Sequence, residues 1–338
     1  MKPIPIIIVS YNTRDLLRRC LASLALAALP TQPIVVDNAS ADGSAAMVRA
    51  EFPHVTVIEA GANLGFARAN NLAVRHVLPN APDYLLFLNP DAELTAGALA
   101  MLVAFADQHP RVALVAPRLI YPDGRAQAAA FRFPTLLMSV FDFWPPRGRG
   151  WGRLYDHPLN GRYREDGGDQ PFAIDHPLGA AMLVRRQVIG EVGAFNADFW
   201  LYAEEVEWCW RIRRAGWAIW QQPHATVIHA AGASSGQFRT RSFVALHRAR
   251  RQFFDHAYPP AFGRWQRRIV RVAAVQRTLE AVFLWLQGRI DRAELRRRTW
   301  AWAEISGSCC YTTALRNGNG VGQAHGPAPT ILRRSGRL

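Results

Sequence analysis

Through its first 120 residues the chain alternates short apolar runs with longer amphipathic ones. Residues 6–10 form a short apolar β-branched run closed by Ser10, the pattern of a strand buried on both faces. Residues 14–29, rich in Leu and Ala and stopped by Pro30, read as a helix. The alternation continues with strands at 33–37, 55–58, 84–88 and 112–116 and helices at 45–52, 67–77 and 95–109. Such βαβ repetition predicts an α/β fold with a Rossmann-like, mainly parallel central sheet flanked by helices. A strand at 178–184, a helix at 204–215 and a strand ending near His229 follow. Residues 142–172 are rich in Pro, Gly, Arg and Trp without a period and read as a long surface loop. The predicted division is an α/β domain at 1–240, with halves 1–118 and 173–240 on either side of that loop. A basic helical extension at 241–305 and a disordered tail at 306–338 complete it.

With 338 residues, half of them hydrophobic, the chain has ample material for a core, which excludes a wholly disordered protein. Its four cysteines, Cys20, Cys209, Cys309 and Cys310, form no C-x-x-C pair, so neither a disulfide scaffold nor a zinc ribbon is expected. A reducing cytosolic compartment fits that usage. No separate apolar segment with a cleavage site opens the chain, and the uncharged stretch 20–36 is interrupted by Pro30 and Pro33. The expectation is a protein that is not integral to a membrane. The net charge of +14 is unevenly placed: residues 1–238 carry 21 basic and 21 acidic side chains, residues 239–338 carry 19 arginines against five acids. A neutral body with a basic tail points to an anionic surface met by the tail.

Ligands of open α/β sheets bind beyond the carboxyl ends of the strands, and three predicted strand ends are polar: Ser10-Tyr11-Asn12, Asp37-Asn38 and Asn89-Pro90-Asp91. Taken singly, such residues are caps and turns; on one sheet edge they read as a site. A carboxylate after the second strand can accept hydrogen bonds from a nucleobase or ribose, and one after the fourth can hold a cation on a diphosphate. Residues 61–71, with Asn63, Gly65 and Arg68, join a strand to a helix and offer a close backbone approach and a phosphate partner. Neither G-x-G-x-x-G nor a Walker motif occurs, which weighs against dinucleotide and P-loop readings. Around 199–211, Glu204, Glu205 and Glu207 stand among Trp200, Tyr202, Trp208 and Trp210. Apolar walls raise a carboxylate toward the range of a general base, and Glu205 is the first candidate. His229, at a strand end, reads equally as a metal ligand or as a structural residue.

The ordered set of these motifs resembles the family 2 inverting glycosyltransferases, especially their bacterial rhamnosyltransferase-like branch. The resemblance is carried by Val9-Ser10-Tyr11-Asn12, residues 35–40 with Asp42-Gly43-Ser44, Asn63-Leu64-Gly65-Phe66, Leu88-Asn89-Pro90-Asp91, residues 177–184 and Val192-Gly193-Ala194-Phe195, then the acidic helix and His229. It covers residues 4–255 and implies a GT-A fold that takes a nucleotide-diphosphate sugar, dTDP-rhamnose among the candidates, to a glycan or lipid-linked acceptor hydroxyl in polysaccharide assembly at the cell envelope. The resemblance implies nucleotide-sugar contacts at Ser10, Tyr11, Asn12, Asp37, Asn38, Asn63, Gly65, Arg68 and Asn89. It implies a divalent cation, Mg²⁺ or Mn²⁺, at Asp91 and His229, and acceptor contacts at Gly179, Ala180, Trp200 and Tyr202. The base falls to Glu205 or its neighbour Glu204. The metal motif carries one aspartate rather than two, and the usual Glu-Asp of the base position is here Glu-Glu.

Two other classes compete. A sugar-nucleotide nucleotidyltransferase needs a Gly-rich basic loop after the first strand, where Ser10-Tyr11-Asn12-Thr13 stands. A nucleic-acid binder would use the arginines and tryptophans of the tail, but the neutral body and acidic strand ends oppose it, and no nucleic acid is expected. A sugar-binding scaffold without catalysis is the remaining alternative. In the tail, apolar residues recur from Trp265 through Ile269, Val272, Val275, Leu279, Phe283 and Leu286 on one helical face. That stripe either packs on the catalytic domain or, as a basic amphipathic helix, lies on the anionic cytoplasmic face of the cell membrane as a peripheral anchor.

Overall fold

The computed structural model describes residues 2–145, 160–161, 163, 170–230 and 239–307. The chain divides into two compact units, Met1–Ser234 and Ser235–Leu338. The first opens with β1 (Ile4–Ser10), α1 (Arg14–Ser23), β2 (Thr31–Asp37), α2 (Ser44–Glu51), β3 (Thr56–Glu59), α3 (Phe66–Val77) and β4 (Tyr84–Leu88). It continues through β5 (Ala92–Leu94), α4 (Ala98–Gln108), β6 (Val112–Ile120), β7 (Ala126–Gln127), β8 (Ala130–Phe131) and α5 (Leu136–Phe143). After β9 (Phe172–Ala173) and β10 (His176–Pro177) come β11 (Ala181–Arg185), α6 (Arg186–Val192), α7 (Glu204–Arg214) and β12 (Ala218–His229).

The main sheet runs β3-β2-β1-β4-β11-β6-β12-β5. Its first four strands are parallel, as βαβ crossovers require. Beyond them it is mixed: β11 runs against β4 and β6, β12 runs with β6, and β5 runs against β12. Every residue of β1 is buried, because the sheet is covered on both faces. Ile6 and Ile8 enter one core with Leu17, Met47 and Leu102 of α1, α2 and α4. Ile7 and Val9 enter the other with Ala73, Val188 and Trp208 of α3, α6 and α7. Each such side chain contributes about 1.5–3 kcal/mol by burial.

Several boundaries differ from the sequence pattern, among them the strand predicted at 178–184, which begins at Ala181, and three differ because of a long-range partner. The helix predicted at 14–29 stops at Ser23, whose hydroxyl oxygen accepts the Leu94 N–H (2.9 Å), and Leu24–Leu26 form a 3₁₀ turn. The helix predicted at 95–109 begins at Ala98 behind the left-handed Gly97 (φ 72°), since Ala92–Leu94 pair with β12. The strand predicted at 112–116 extends to Ile120 alongside the twelve-residue β12. Most of the predicted loop at 142–172, the tail beyond residue 307, Cys309 and Cys310 lie outside the described residues.

The second unit holds α8 (Arg239–Ala257), α9 (Pro260–Leu286) and α10 (Arg292–Ser306), each packed on the other two. Asp291 caps α10 by accepting the Glu294 N–H (2.7 Å). Among the described residues no helix is long and apolar enough to cross a membrane.

One buried ion pair ties α7 to the turn after α6. Glu207, 1% exposed, accepts from Arg211 Nε at 2.9 and 3.1 Å, while Arg211 also donates to the carbonyls of Val192 and Ala194. Breaking a buried pair typically costs 3–5 kcal/mol. Arg211→Met is expected to lose roughly 3 kcal/mol, read as a fall in the denaturation midpoint; an unchanged midpoint would show the pair to be dispensable.

Candidate active site

Strand register brings the polar ends together. Ser10 lies opposite Asp37 in the β1–β2 ladder. In the β4–β11 ladder Ala181 lies opposite Leu88, so Gly179-Ala180 runs beside Asn89, whose N–H donates to the Ala180 carbonyl (2.8 Å). In the β5–β12 ladder His229 lies opposite Ala92, next to Asp91.

Much of the polar edge is spent on holding its own loops. Ser10 Oγ is fully buried and bonded to Thr13 Oγ1 (2.9 Å), so it supports the loop from within. Asn12 adopts a left-handed conformation (φ 53°); its N–H donates to Ser40 Oγ (3.0 Å) and its Oδ1 accepts the Ala41 N–H (2.7 Å). Tyr11 stands half-buried beside it. Buried Asn38 donates to Asn63 Oδ1 (3.0 Å) and accepts the Leu64 N–H (2.8 Å), fixing the 63–65 turn. Gly65 (φ 77°, ψ −179°) occupies a conformation essentially reserved for glycine, and a Cβ there would collide with the Trp200 carbonyl. The Phe66 N–H donates to that same carbonyl (2.8 Å). The turn after β3 is thereby clamped to residues 199–203. Arg68 is exposed; its Nε donates to the Ala197 carbonyl (2.9 Å) and its terminal nitrogens have no partner among the described residues.

Asp37 differs from these supporting groups. It is 5% exposed; Oδ2 accepts the Ser40 N–H (3.1 Å), and Oδ1 is buried without a hydrogen-bond partner among the described residues. A buried acceptor left open costs about 1–3 kcal/mol, so it marks a place where a ligand donor belongs.

Asp91 and His229 are both buried, with Asp91 Oδ1 3.2 Å from His229 Nε2. Gln127 Oε1 lies 2.9 Å from His229 Nδ1. With Nδ1–H donating to Gln127, Nε2 turns its lone pair toward a carboxylate oxygen, and two acceptors at that distance call for a proton or a cation between them. The donor set of one carboxylate and one imidazole fits a divalent cation that takes its other ligands from phosphate and water. Among the described residues no cluster of three or more His, Cys, Asp or Glu occurs. Cys20 Sγ–H donates to the Asn89 carbonyl (3.5 Å) beneath this loop.

The acidic triplet divides by burial. Tyr202 (φ 71°) and Ala203 (φ 62°) are consecutive left-handed residues, a strained entry of about 1 kcal/mol or more each, and they aim the N-terminus of α7 at the sheet edge. Glu207 is taken by Arg211. Glu204 is 5% exposed with Oε2 lacking a partner among the described residues; burial and the adjacent Glu205 hold its carboxyl well above the usual range. Glu205 is half-buried, and burial pushes it up to about 7. Its Cγ lies close under Gly179, where a Cβ would stand 3.4 Å away, so residues 179–180 and Glu205 meet. Trp200 is 52% exposed and Tyr202 half-buried at the same entry.

Sequence reasoning missed Gln127, whose two-residue strand has no period to read, and it missed the left-handed backbone at 202–203. The Asn71 side chain, which donates to the Phe195 carbonyl (2.7 Å) and accepts its N–H (3.1 Å), also went unread.

The family model described as Glycosyl transferase family 2 matches residues 6–193. N-acetylglucosaminyl-diphospho-decaprenol L-rhamnosyltransferase of Mycobacterium tuberculosis is 28% identical over 260 residues, 73% of this chain and 82% of that one. Low-salt glycan biosynthesis hexosyltransferase Agl10 of Haloferax volcanii is 25% identical over 249 residues, covering 71% of each chain. Rhamnosyltransferase WbbL of Escherichia coli is 25% identical over 246 residues, 70% of this chain and 87% of that one. Among solved structures, mannosyltransferase PcManGT from Pyrobaculum calidifontis, in complex with GDP-Man and Mn²⁺, aligns with a TM-score of 0.54 at 18% identity, covering 90% of this chain and 85% of that one. That likeness shows the fold, a GT-A α/β architecture. The family match spans more than half of the sequence, and the chain belongs to glycosyl transferase family 2.

Proposed function

We propose that this glycosyltransferase moves a sugar from a nucleoside-diphosphate sugar to a hydroxyl of a glycan or lipid-linked acceptor, with inversion, in cell-surface polysaccharide assembly. The observation that carries the reading is the Glu205 carboxylate, half-buried, pushed up to about 7 and set against Gly179 at the polar sheet edge. Two relatives bear rhamnosyltransferase names, one with a lipid diphosphate as its named acceptor; they support dTDP-rhamnose as donor and a lipid-linked acceptor. The transferase domain is residues 1–240, with 1–118 the donor half and 173–240 the acceptor half.

The open Asp37 Oδ1 takes an N–H or O–H of the nucleoside. Tyr11, Asn12, Asn63, Arg68 and Asn89 surround the nucleotide, with Ser10, Asn38 and Gly65 holding their loops. Asp91 and His229 would hold Mg²⁺ or Mn²⁺, with Gln127 fixing the imidazole, and a cation bound there would supply positive charge to the diphosphate. Gly179, Ala180, Trp200 and Tyr202 receive the acceptor. Glu205 accepts the hydroxyl proton as the acceptor oxygen bonds to the anomeric carbon and the carbon–oxygen bond to phosphate breaks, releasing the nucleoside diphosphate. Glu204 is too deeply buried to reach a hydroxyl and keeps its proton. A lipid-linked acceptor puts the protein at the cytoplasmic face of the cell membrane as a peripheral enzyme.

Glu205→Gln is expected to lower turnover at least ~100-fold while donor affinity stays within a few-fold; retention of more than a tenth of wild-type turnover, with Glu204→Gln as the comparison, removes Glu205 from the role. Because the base acts deprotonated, kcat/KM should rise with pH to a midpoint near 7 and level off above it; a rate independent of pH between about 5.5 and 8.5 contradicts the assignment. Calorimetric titration of Mn²⁺ in the presence of dTDP should show roughly 10–100-fold weaker binding for Gln127→Ala and a larger loss for Asp91→Asn. Equal affinities in all three proteins would empty the metal site. Gly65→Ala should lose about 1–3 kcal/mol of stability, from the forced backbone conformation, and weaken dTDP binding; a protein with wild-type midpoint and affinity would show the clamp to Trp200 to be incidental.

A further inference from the structure

Helix α9 is amphipathic with the large residues on the outside. Its buried residues are Gly263, Gln266, Val270, Ala273, Ala274 and Ala281, small for the most part, which lets α9 lie close in its own unit. The residues of the predicted apolar stripe are the exposed ones: Trp265 55%, Val272 60%, Val275 62%, Leu279 64%, Phe283 60% and Leu286 70%. Turned at 100° per residue, they share one face with Ile269; Arg264 and Arg271 border it on one side and Arg268 falls within it. Arg268 lies over the Trp265 ring, 4.8 Å from its centroid. Arg264 and Arg271 have no ion-pair partner among the described residues. The helix has 27 residues, about 40 Å at 1.5 Å per residue.

A soluble surface rarely exposes so large a contiguous apolar stripe without an occupant. We propose that this face of α9 lies in the headgroup layer of an anionic bilayer, with the stripe at the acyl boundary and the bordering arginines on lipid phosphates. Charge decides against a second copy of the chain. The last hundred residues carry the entire net charge of +14, so a symmetric pairing through α9 would press two strongly cationic faces together, whereas an anionic membrane surface attracts them. Trp265 and Phe283 are the side-chain types that settle at such a boundary, and the arginines snorkel from it. The proposal rests on the peripheral, lipid-linked reading above and deepens it by naming the surface that makes it.

The test is co-sedimentation of the full chain with vesicles of phosphatidylglycerol mixed with phosphatidylcholine, against vesicles of phosphatidylcholine alone. The wild type should bind the anionic vesicles at least tenfold more tightly than the neutral ones, and lose most of that binding between about 0.1 and 1 M salt. Because arginines beyond residue 307 also attract anionic lipid, the deciding protein is the double variant Leu279→Glu with Phe283→Glu, both exposed and so compatible with the fold, its denaturation midpoint checked first. It should bind at least tenfold more weakly than the wild type. Arg264→Gln with Arg271→Gln should reduce the salt-sensitive part. Equal binding by wild type and the double variant, or equal binding to both vesicle types, overturns the proposal. So does a wild-type dimer in sedimentation that the double variant dissolves without any change in vesicle binding. Vesicle binding without sugar transfer from any nucleotide sugar would remove the proposed function and leave this surface standing; transfer to a soluble acceptor by a protein that ignores vesicles would do the reverse.

Discussion

Pairing register in the main sheet is the constraint on which the site depends. A slip of one residue in any of three ladders would turn the relevant side chains to the opposite face. The β1–β2 ladder sets Asp37 beside Ser10, the β4–β11 ladder brings Gly179 and Ala180 to Asn89, and the β5–β12 ladder delivers His229 to Asp91. Two cores that draw alternate residues of β1 to opposite faces hold that register in place. The residues that pack the sheet and the residues of the candidate site are thus specified by the same alternation.

Around that edge, polar side chains fall into a supporting set and an open set. Asn12, Asn38 and Ser40 spend their hydrogen bonds on neighbouring loops. Gly65 and the left-handed pair Tyr202 and Ala203 bring the turn after β3 against the entry to α7. Rigid support of this kind matters because an acceptor hydroxyl, a base and an anomeric carbon must meet within a fraction of an ångström. Among the described residues the support leaves open one oxygen of Asp37, the Asp91–His229 pair and the Glu205 carboxylate, besides the Arg68 terminal nitrogens and a closed-off oxygen of Glu204. In the proposed reading the first three serve the nucleoside, the diphosphate and the attacking hydroxyl of a nucleotide-sugar transfer.

The alternating half of the fold was legible because buried parallel strands read as β-branched runs and the crossovers as amphipathic helices. Residues 92–94 were not legible as a strand, since three residues show no period and β5 exists only through its pairing with β12. β11 and β12 were legible as strands, but an apolar run does not give its pairing direction, so the mixed part of the sheet was not. Among site residues, the carboxylates announced themselves by chemistry and position, but sequence could not divide labour among them. Glu207 serves Arg211, Glu204 is closed off and Glu205 faces Gly179, a division that arises from side-chain packing alone. Gln127 shows the limit most plainly, for nothing near it in sequence points to His229, 102 positions away.

In the proposed function this strand-end edge holds a nucleoside diphosphate through the open oxygen of Asp37. The direct measurement is calorimetric titration of dTDP, UDP and GDP, each with Mn²⁺, into the wild type and into Asp37→Ala. At least one of the three is expected to bind the wild type, with an affinity that falls by ~10-fold or more in the variant, the size expected when a buried hydrogen bond to a charged group is lost. A nucleotide that binds both proteins equally well would contradict it.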